Sequence, residues 1–467
     1  MGLIQKVGQY IHLLYARDEE REEILDKFDE TLSPNMRALR LSMTIADNLL
    51  SMGVSASDVA SMALDVTDTY CKRKVQFDIS STMLIASQDR GNDREPLTLV
   101  RTLNPRTVND RQIQAIQELV RDIFTGNIKL DEAETQLDYI TSHPNKYPLV
   151  VTTFGSAAIS AGVGMLLGAQ PITIAIMFFI GATVALGLRL LARRRIPTFF
   201  SQIIAAYLIT VGAGVMSWIT RNSDIAIFND ITPGYIVTGG IVMLVAGLTI
   251  VSAVQDAIDE FYVTANARLL KVVMMTAGIV IGVLIGIYTS RQFGVWIDPT
   301  PATANDTLPI LQYAGAAAIA GGLTLSNHSR TKGVFVSAAL GMGTWGIYNA
   351  IIDNNFSAIA ASGIAAICVG AAATFLSRIW RIPSNSLVMA GIVPLVPGMM
   401  LFNGLMRLFV DTSQGMQTDA GSSTLVTAIF VALAIAGGAS FGIFVARPIR
   451  RTLIRARNTL PRYQLKN

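Results

Sequence analysis

The sequence predicts an α-helical polytopic membrane protein in which a polar α+β domain precedes about ten transmembrane helices. Hydrophobic residues make up 51% of the 467-residue chain and charged residues only 15%, a composition too apolar for a soluble protein of this length. From residue 149 onward, apolar stretches near the roughly 20-residue length that spans a bilayer follow one another almost to the end. Basic residues concentrate in alternate connections between those stretches, as they do on the cytoplasmic side of membrane proteins.

Residues 1–148 are rich in charge and are patterned like a compact α+β domain. Apolar residues at helical spacing predict helices at 35–50, 55–70, 109–124 and 131–140. Alternation over 75–79 and 97–103, with an apolar run at 83–86, predicts the strands of a small sheet. The domain has no glycines at the spacing of a phosphate-binding loop, and the serine pair Ser80-Ser81 has histidines only at remote positions in the sequence. We therefore expect no enzyme active site in this domain.

The remaining two thirds of the chain divide into two membrane halves and a tail. The predicted spans are 149–167, 172–191, 199–219, 235–254, 272–288, 308–325, 334–352, 356–376, 387–410 and 425–445. The first half occupies 149–290, the second half occupies 308–446, and a basic tail covers 447–467.

The charges in the connections orient these spans. If the polar domain is cytoplasmic, the even-numbered spans return to the cytoplasm, and most basic residues fall on that side. They are Arg193–Arg195, Arg268, Lys271, Arg330, Lys332, Arg378, Arg381 and the arginines of the tail. We therefore expect both termini in the cytoplasm. The net charge of +4 then reflects attraction to membrane lipid, and we expect no nucleic acid partner.

Cysteine and histidine are too few and too scattered to form a metal site. The chain has two cysteines and three histidines, and no histidine accompanies a cysteine. Cys71 lies in the polar domain and Cys368 in a predicted span, so we expect no disulfide. The sequence thus predicts neither a metal nor another cofactor.

A short repeat relates the two halves. Gly240–Gly247 reads Gly-Ile-Val-Met-Leu-Val-Ala-Gly, and Gly391–Gly398 reads Gly-Ile-Val-Pro-Leu-Val-Pro-Gly. Small residues four apart follow each copy, at Gly278, Gly282 and Gly286 and at Ala434, Gly438 and Gly442. Because each half has an odd number of spans, true repeats must have opposite orientations. The sequence predicts two five-helix inverted repeats, with a chance match of common membrane residues as the alternative.

The second copy of the repeat predicts a broken helix. Pro394 and Pro397 each remove a backbone donor and clash with the preceding turn, and Gly398 follows them. A break at membrane depth is tolerated where the freed carbonyls are buried in protein or line a wet cavity, as in transporters. The alternative is a proline kink that only shapes helix packing.

Polar residues within the spans are the candidate site residues, because each one is costly in hydrocarbon. In the fourth span, Thr249, Ser252 and Asp256 share one helix face. Asp256 is either a proton-carrying carboxylate or an ordinary interfacial acid near Arg268. In the ninth span, Arg407 lies one turn after Asn403; its guanidinium either meets a substrate carboxylate or extends to the membrane surface.

The order of these parts resembles the threonine/serine exporter family, known as ThrE. The resemblance rests on Thr98–Arg101 and Asn109 in the polar domain, an aspartate ending the fourth span before Ala267-Arg268, and Val-Pro-Gly398 in the ninth. It implies a secondary exporter that moves L-threonine and L-serine out of a bacterial cytoplasm across the inner membrane, driven by the proton gradient. In the family, the positions of Asp256 and Arg268 tend to carry an acid and a base. The first copy of the repeat departs from the pattern, because it has Ala246-Gly247 where Pro-Gly is expected.

Together, these observations predict a proton-driven exporter of small hydroxy amino acids rather than an enzyme. Asp256 is expected to carry the proton, and Thr249, Ser252, Asn403 and Arg407 are expected to contact the substrate. Pro394, Pro397 and Gly398 are expected to form the break. A dicarboxylate exporter of the same superfamily and a passive amino-acid channel are the alternatives. Whether the chain forms a homo-oligomer is left open.

Overall fold

The computed structural model describes residues 34–71, 74–80, 82–89, 95–104, 106–222, 233–245, 247–295, 308–414 and 419–459. These residues belong to two compact units. The small unit takes in the chain up to Ser51, Asp58–Pro105 and Ile116–Ser142. The large unit takes in Met52–Ser57, Arg106–Ala115 and the chain from His143 onward. Residues 460–467 of the predicted basic tail lie outside the described ranges.

In the first part of the chain, two helices precede three strands and two further helices follow them. The elements are α1 (Pro34–Ser51), α2 (Ala56–Tyr70), β1 (Val75–Ser80), β2 (Met83–Gln88), β3 (Leu97–Thr102), α3 (Asp110–Phe124) and α4 (Leu130–Ser142). The strands form an antiparallel sheet in the order β1-β2-β3, with Ala86 opposite both Phe77 and Leu99. The strands therefore fall on the two segments with alternating residues and on the apolar run between them, from which the sequence predicts a sheet.

The small unit is held together by an apolar core and by ion pairs. Leu39, Ile45 and Leu49 on α1 are fully buried, and these residues recur at the spacing of one helix face. On the same helix, Arg37 pairs with Asp131 and Glu134 of α4. Burial of the α1 face therefore fixes this helix within the unit, and the ion pairs set its position along α4.

The large unit consists mainly of long apolar helices. They are α5 (Leu149–Leu167), α6 (Pro171–Arg193), α7 (Thr198–Asn222), α8 (Pro233–Leu244), α9 (Gly247–Ile258), α10 (Tyr262–Gln292), α11 (Pro309–Ser326), α12 (Thr331–Asp353), α13 (Ala358–Trp380), α14 (Ser384–Ile392), α15 (Gly398–Gln414) and α16 (Asp419–Thr459). A 3₁₀ turn, η1 (Val393–Leu395), separates α14 from α15.

The described helices give eight candidate membrane spans, or up to nine if the bent α14–α15 pair is one span. The predicted sixth span, α11, is not among these candidates. Eight of its 18 residues are alanine or glycine, which are less apolar than the leucine, isoleucine and valine of the other spans. The chain is therefore a multi-pass membrane protein, and its described residues support up to nine of the ten predicted spans.

The helices fall into two successive sets with matching neighbours. In the first set, α7 packs along α10, and in the second set α13 packs along α16. Likewise, α5 packs on α6 and α11 on α12, while α9 packs on α10 and α15 on α16. The glycines predicted to allow close helix approach lie in these contacts, since Gly282 faces the Ile203 carbonyl and Gly438 faces the Gly363 carbonyl.

The two sets exchange one helix segment each. Ile250 and Val251 of α9 lie in the apolar cluster formed mainly by α13, α14 and α16. Conversely, Phe402 and Met406 of α15 lie in the cluster formed mainly by α7, α8 and α10. Each set therefore completes the core of the other, and the membrane helices form one packed body within the large unit.

Candidate functional site

Both segments of the Gly-to-Gly repeat are interrupted. Helix α8 ends at Leu244, Val245 is a bend, and α9 begins at Gly247; Ala246 lies outside the described residues, and the two helices together count as one candidate span. In the second copy, α14 and η1 meet α15 at an angle of 47°. Pro394 lies in η1, and the buried Pro397 directly precedes Gly398. The chain bends sharply in the copy with two prolines, because each proline removes one helical hydrogen bond.

The two interruptions touch each other. A Cβ atom added at Gly398 would lie 3.2 Å from Cγ1 of Val245, and one added at Gly247 would overlap Cγ1 of Val396. Glycine is required at Gly247 because any side chain there would displace a β-branched neighbour. The N-termini of α9 and α15 thus lie next to each other inside the large unit. Each helix N-terminus carries partial positive charge, so this region favours an anionic group.

The structure arranges the predicted substrate contacts along the helices that start at this point. Thr249 and Ser252 are half-buried in the first two turns of α9, and Ser252 donates to the Leu248 carbonyl of its own helix at 3.0 Å. Asn403 is half-buried on α15, whereas Arg407 is exposed. Arg407 follows Gly398 by nine residues, about 13 Å along the helix. Thr249, Ser252 and Asn403 therefore lie nearer the break than Arg407 does.

Asp256 is a fully buried carboxylate at the other end of α9. Its exposure is 0%, its Oδ2 lies 2.7 Å from Nη1 of Arg268, and its Oδ1 accepts from the Ala56 backbone at 3.4 Å. One turn later, Asp259 accepts from the Ser57 hydroxyl at 2.6 Å. The end of α9 is thus joined to Arg268 on α10 and to the segment Met52–Ser57. Arg268 lies near Asp256 in the sequence, whereas Ala56 lies 200 residues away in the chain, so no local pattern indicates this contact.

A second buried carboxylate, Asp110, was not singled out by the sequence analysis. It is the first residue of α3 and is 3% exposed. Oδ1 of Asp110 accepts from the Ser386 hydroxyl on α14 at 2.8 Å, and its backbone NH donates to the Asn327 carbonyl at 2.9 Å. Burial raises the pKa of Asp110 to about 7, and the Ser386 hydrogen bond opposes this rise. The partner is 276 residues away, so no local pattern indicates the pair.

An aromatic and basic cluster lies next to Asp110 in the chain. The Arg111 guanidinium is 4.0 Å from the centre of the Tyr147 ring, and the Tyr147 backbone NH donates to Nδ1 of His328 at 3.0 Å. Burial, followed by the positive charges of Lys146, Arg189 and Arg111, lowers the pKa of His328. A neutral imidazole is the form that can accept this hydrogen bond. The cluster fixes Arg106–Ala115 against the connection between α11 and α12.

A groove of about 750 Å³ lies between α12 and α13, and it contains none of the predicted site residues. Its lining is mainly apolar and includes Phe335, Leu340, Cys368 and Trp380. Within the ranges that the structure describes, no group of three or more His, Cys, Asp or Glu side chains is placed to hold a metal ion. The meeting point of the breaks and the two buried carboxylates are therefore the polar features on which a function can be built.

Comparison with known proteins agrees with this architecture. Residues 40–289 match the family described as "Putative threonine/serine exporter", and residues 312–445 match the family described as "Threonine/Serine exporter, ThrE". The chain is 31% identical over 430 residues to a "Probable threonine/serine exporter" of Mycobacterium tuberculosis, covering 89% of this chain and 77% of that protein. It is 28% identical to the "Threonine/serine exporter" of Corynebacterium glutamicum, covering 88% of this chain and 83% of that protein.

No solved structure matches the chain. The two family matches lie on either side of the connection between α10 and α11, so they divide the chain where the two sets of helices divide. The relatives are named exporters, which are transporters and not enzymes. With membrane-capable helices in both matched regions, the chain is a multi-pass membrane protein of the threonine/serine exporter (ThrE) family.

Proposed function

We propose that this protein exports L-threonine and L-serine from a bacterial cytoplasm across the inner membrane, in exchange for protons. The observation that carries the proposal is the contact between the two helix interruptions at Gly247 and Gly398. Paired breaks inside a membrane bundle are the usual setting of a substrate site in secondary transporters. The names of the relatives supply the substrate class.

The proposal includes an inverted repeat, which reciprocal contacts support. Gly155 and Gly162 are the seventh and fourteenth residues of α5, and Gly315 and Gly322 hold the same places in α11. An added Cβ at Gly155 would lie 2.7 Å from the Gly322 oxygen, and one at Gly162 would lie 2.8 Å from the Gly315 oxygen. Each glycine thus meets the counterpart of the other. This pattern is typical of two copies related by a two-fold axis.

The contact between the breaks follows the same rule. In the repeat, Val245 corresponds to Val396 and Gly247 to Gly398. Gly247 meets Val396 and Gly398 meets Val245, so this contact is also reciprocal. The exchange of α9 and α15 between the two apolar clusters is a third instance. An axis in the membrane plane would pass between α5 and α11 and between the two breaks.

The proposed topology follows from the repeat. With α11 counted as the sixth span and the bent pair as the ninth, each half crosses the membrane with five helices, over 149–290 and 308–446. The basic connections then place both termini, the α+β domain of residues 1–148 and the tail 447–467 in the cytoplasm.

The paired breaks suit a zwitterionic substrate. The N-termini of α9 and α15 offer backbone NH groups and partial positive charge to a carboxylate, while the carbonyl ends of α8 and η1 can accept from an ammonium group. Thr249, Ser252 and Asn403 supply polar contacts for the substrate hydroxyl. Arg407, which is exposed, would meet the carboxylate at the outer mouth.

Asp256 is the proposed proton carrier. In the described conformation its carboxylate is paired with Arg268 and is shielded from solvent. Protonation would neutralise the carboxylate and remove its attraction to Arg268, which would free the end of α9 from α10. Proton binding would thus be linked to movement of the helix that begins at the break.

A dicarboxylate exporter is the second candidate, because the paired helix N-termini favour anions. Such a substrate has two carboxylates, and Arg407 is the only Lys or Arg that follows the breaks within α9 or the described side chains of α15. A passive channel would need no coupling carboxylate. Asp256 is buried and paired with an arginine, an arrangement that favours a coupled transporter.

Uptake of labelled threonine into proteoliposomes of the full chain tests the proposal. We expect accumulation that depends on an imposed pH gradient and that is inhibited by serine but not by succinate. Movement that ignores the gradient would indicate a passive channel, and inhibition by succinate would indicate a dicarboxylate exporter. Empty liposomes are the control.

A further inference from the structure

We propose that Asp110 is a second proton-binding site of this protein, and that its occupancy sets the strength of the bond between Arg106–Ala115 and the broken helix at Ser386. The relatives' names and the proposed function assign no role to this residue. The part of the proposal that concerns export rests on the proposed function, whereas the proton site itself does not.

The Asp110 carboxylate is only partly hydrogen-bonded. Oδ1 of Asp110 accepts from Ser386, while Oδ2 is buried and has no hydrogen-bond partner among the described residues. A carboxylate can accept several hydrogen bonds, so an ionised Asp110 is poorly satisfied at this place. A proton on Oδ2 would remove the cost of burying a charge. Asp256 differs because it has an arginine partner.

The charged groups around Asp110 do not hold it in its ionised form. Burial raises the pKa of Asp110 to about 7, and the Ser386 hydrogen bond acts in the opposite direction. The elements that pack against it carry Arg111 on α3 and His328 and Arg330 in the connection between α11 and α12. The α14 segment, Ser384–Ile392, has no titratable side chain. Arg111 is held over the Tyr147 ring, and among the described residues no ion pair fixes Asp110 in its charged form.

Asp110 is placed where its protonation can affect the broken helix. Asp110 begins α3, and Ser386 is in the first turn of α14, the helix that leads into the double-proline break. An ionised acceptor makes a stronger hydrogen bond than a neutral one. Loss of the proton would therefore strengthen the bond to Ser386 and hold the start of the broken helix. Binding of a proton would loosen it.

Infrared spectroscopy of the purified full-length protein reports the protonation state directly. We expect the carbonyl band of a protonated carboxylic acid that is present at pH 6, disappears by about pH 8 and is absent from Asp110→Asn. Asp259→Asn is the matched control, because Asp259 also accepts from a serine hydroxyl but is less buried. A band that titrates unchanged in Asp110→Asn would overturn the proposal.

Ser386→Ala keeps the carboxylate and provides a second test if Asp110→Asn does not fold. The Ser386 bond lowers the pKa of Asp110, so its removal should move the same titration to higher pH. A titration that does not move would contradict the proposed bond.

The link to export has its own readout. In proteoliposomes with the same imposed pH gradient, Asp110→Asn should lose the part of the wild-type pH profile that changes near pH 7, and its rate at pH 8 relative to pH 6 should exceed that of the wild-type protein. A wild-type pH profile in Asp110→Asn would overturn the link to export. If wild-type protein transports no threonine, the proposed function fails, yet the infrared titration still decides whether Asp110 binds a proton.

Discussion

At the scale of single residues, the two buried carboxylates differ in what surrounds them. Asp256 has a guanidinium at 2.7 Å and a backbone donor from Ala56. Asp110 has one hydroxyl donor, and among the described residues no cation pairs with it. The charge of Asp256 is therefore opposed by a cation, whereas the described structure gives Asp110 only a hydroxyl donor. When the two copies of the repeat are aligned, Arg407 of the second copy occupies the position that Asp256 occupies in the first.

We expect Asp256→Asn to lose export driven by the pH gradient while retaining exchange of threonine across the membrane. An amide cannot give up a proton, but it keeps the size of the side chain, so the substrate site at the breaks should persist. Counterflow in proteoliposomes measures exchange, and gradient-driven uptake measures coupling. Normal coupling in Asp256→Asn would remove this residue from the mechanism.

The ion pair itself gives a control for folding. Removing one partner of a buried pair typically costs about 3–5 kcal/mol, because the other charge remains buried. Arg268→Gln should therefore lower the midpoint of thermal unfolding more than the double variant with Asp256→Asn does. A double variant that is less stable than Arg268→Gln would mean that the pair is not the reason for the loss.

Asp110 also predicts a pH dependence of stability. Its pKa in the folded protein, about 7, lies above its ordinary value of 3.8. The stability contributed by its protonated form is present below that ordinary value and is lost as the pH rises to about 7. The advantage of Asp110→Asn in thermal unfolding should thus grow up to about pH 7 and remain constant above it. A pH-independent difference would contradict the assigned pKa.

At the scale of helices, the breaks are related by local chemistry but differ in shape. Two prolines bend the second copy by 47°, whereas the first copy, with methionine and alanine at those places, is interrupted without a comparable bend. The absence of a Pro-Gly pair from the first copy therefore does not prevent α9 from starting at Gly247. Helix α9 starts at Gly247, the residue that closely contacts Val396. A side chain at Gly247 would obstruct this contact.

Gly247→Ala should therefore impair transport. A second substitution, Val396→Ala, made in the same chain should restore transport. Overpacking of a close contact costs about 1–3 kcal/mol, so we expect a loss of transport of about tenfold in the single variant. Gly212→Ala on α7 is the control, since an added Cβ there meets nothing within 4 Å. Threonine uptake measures all three. Failure of Val396→Ala to rescue would mean that the two breaks do not need this contact.

At the scale of the whole chain, the reciprocal contacts support our proposal that the large unit contains an inverted repeat. The pair of α5 and α11 and the pair of breaks each show the same exchange of partners. An inverted arrangement also makes a prediction about sidedness. Equivalent connections of the two halves, such as those after α6 and α12, must lie on opposite sides of the membrane.

Cysteine labelling tests this prediction in intact cells, with Cys71 and Cys368 replaced by serine. Arg194→Cys after α6 and Asn354→Cys after α12 both introduce exposed thiols. We expect an impermeant reagent to label Asn354→Cys from outside and Arg194→Cys only after the cells are permeabilised. Labelling of both from the same side would contradict the inverted repeat.

The sequence by itself determined the class of the protein and much of its local structure. Apolar length, basic connections and the double proline act through near neighbours in the chain, so composition and spacing reveal them. The family followed from the order of these parts. The predicted sixth span, α11, is the one that the described structure does not support as a membrane span; its glycines lie at close helix contacts, a role that its sequence alone does not reveal.

The tertiary structure alone decided which distant residues meet. The bond from Ser386 to Asp110, the donor from Ala56 to Asp256 and the contact between Gly247 and Val396 each join segments far apart in sequence. A side chain's charge state depends on its burial and on the partners that folding brings to it. For that reason the sequence pointed to Asp256, which has a basic residue nearby in the chain, and passed over Asp110, whose environment exists only in the folded protein.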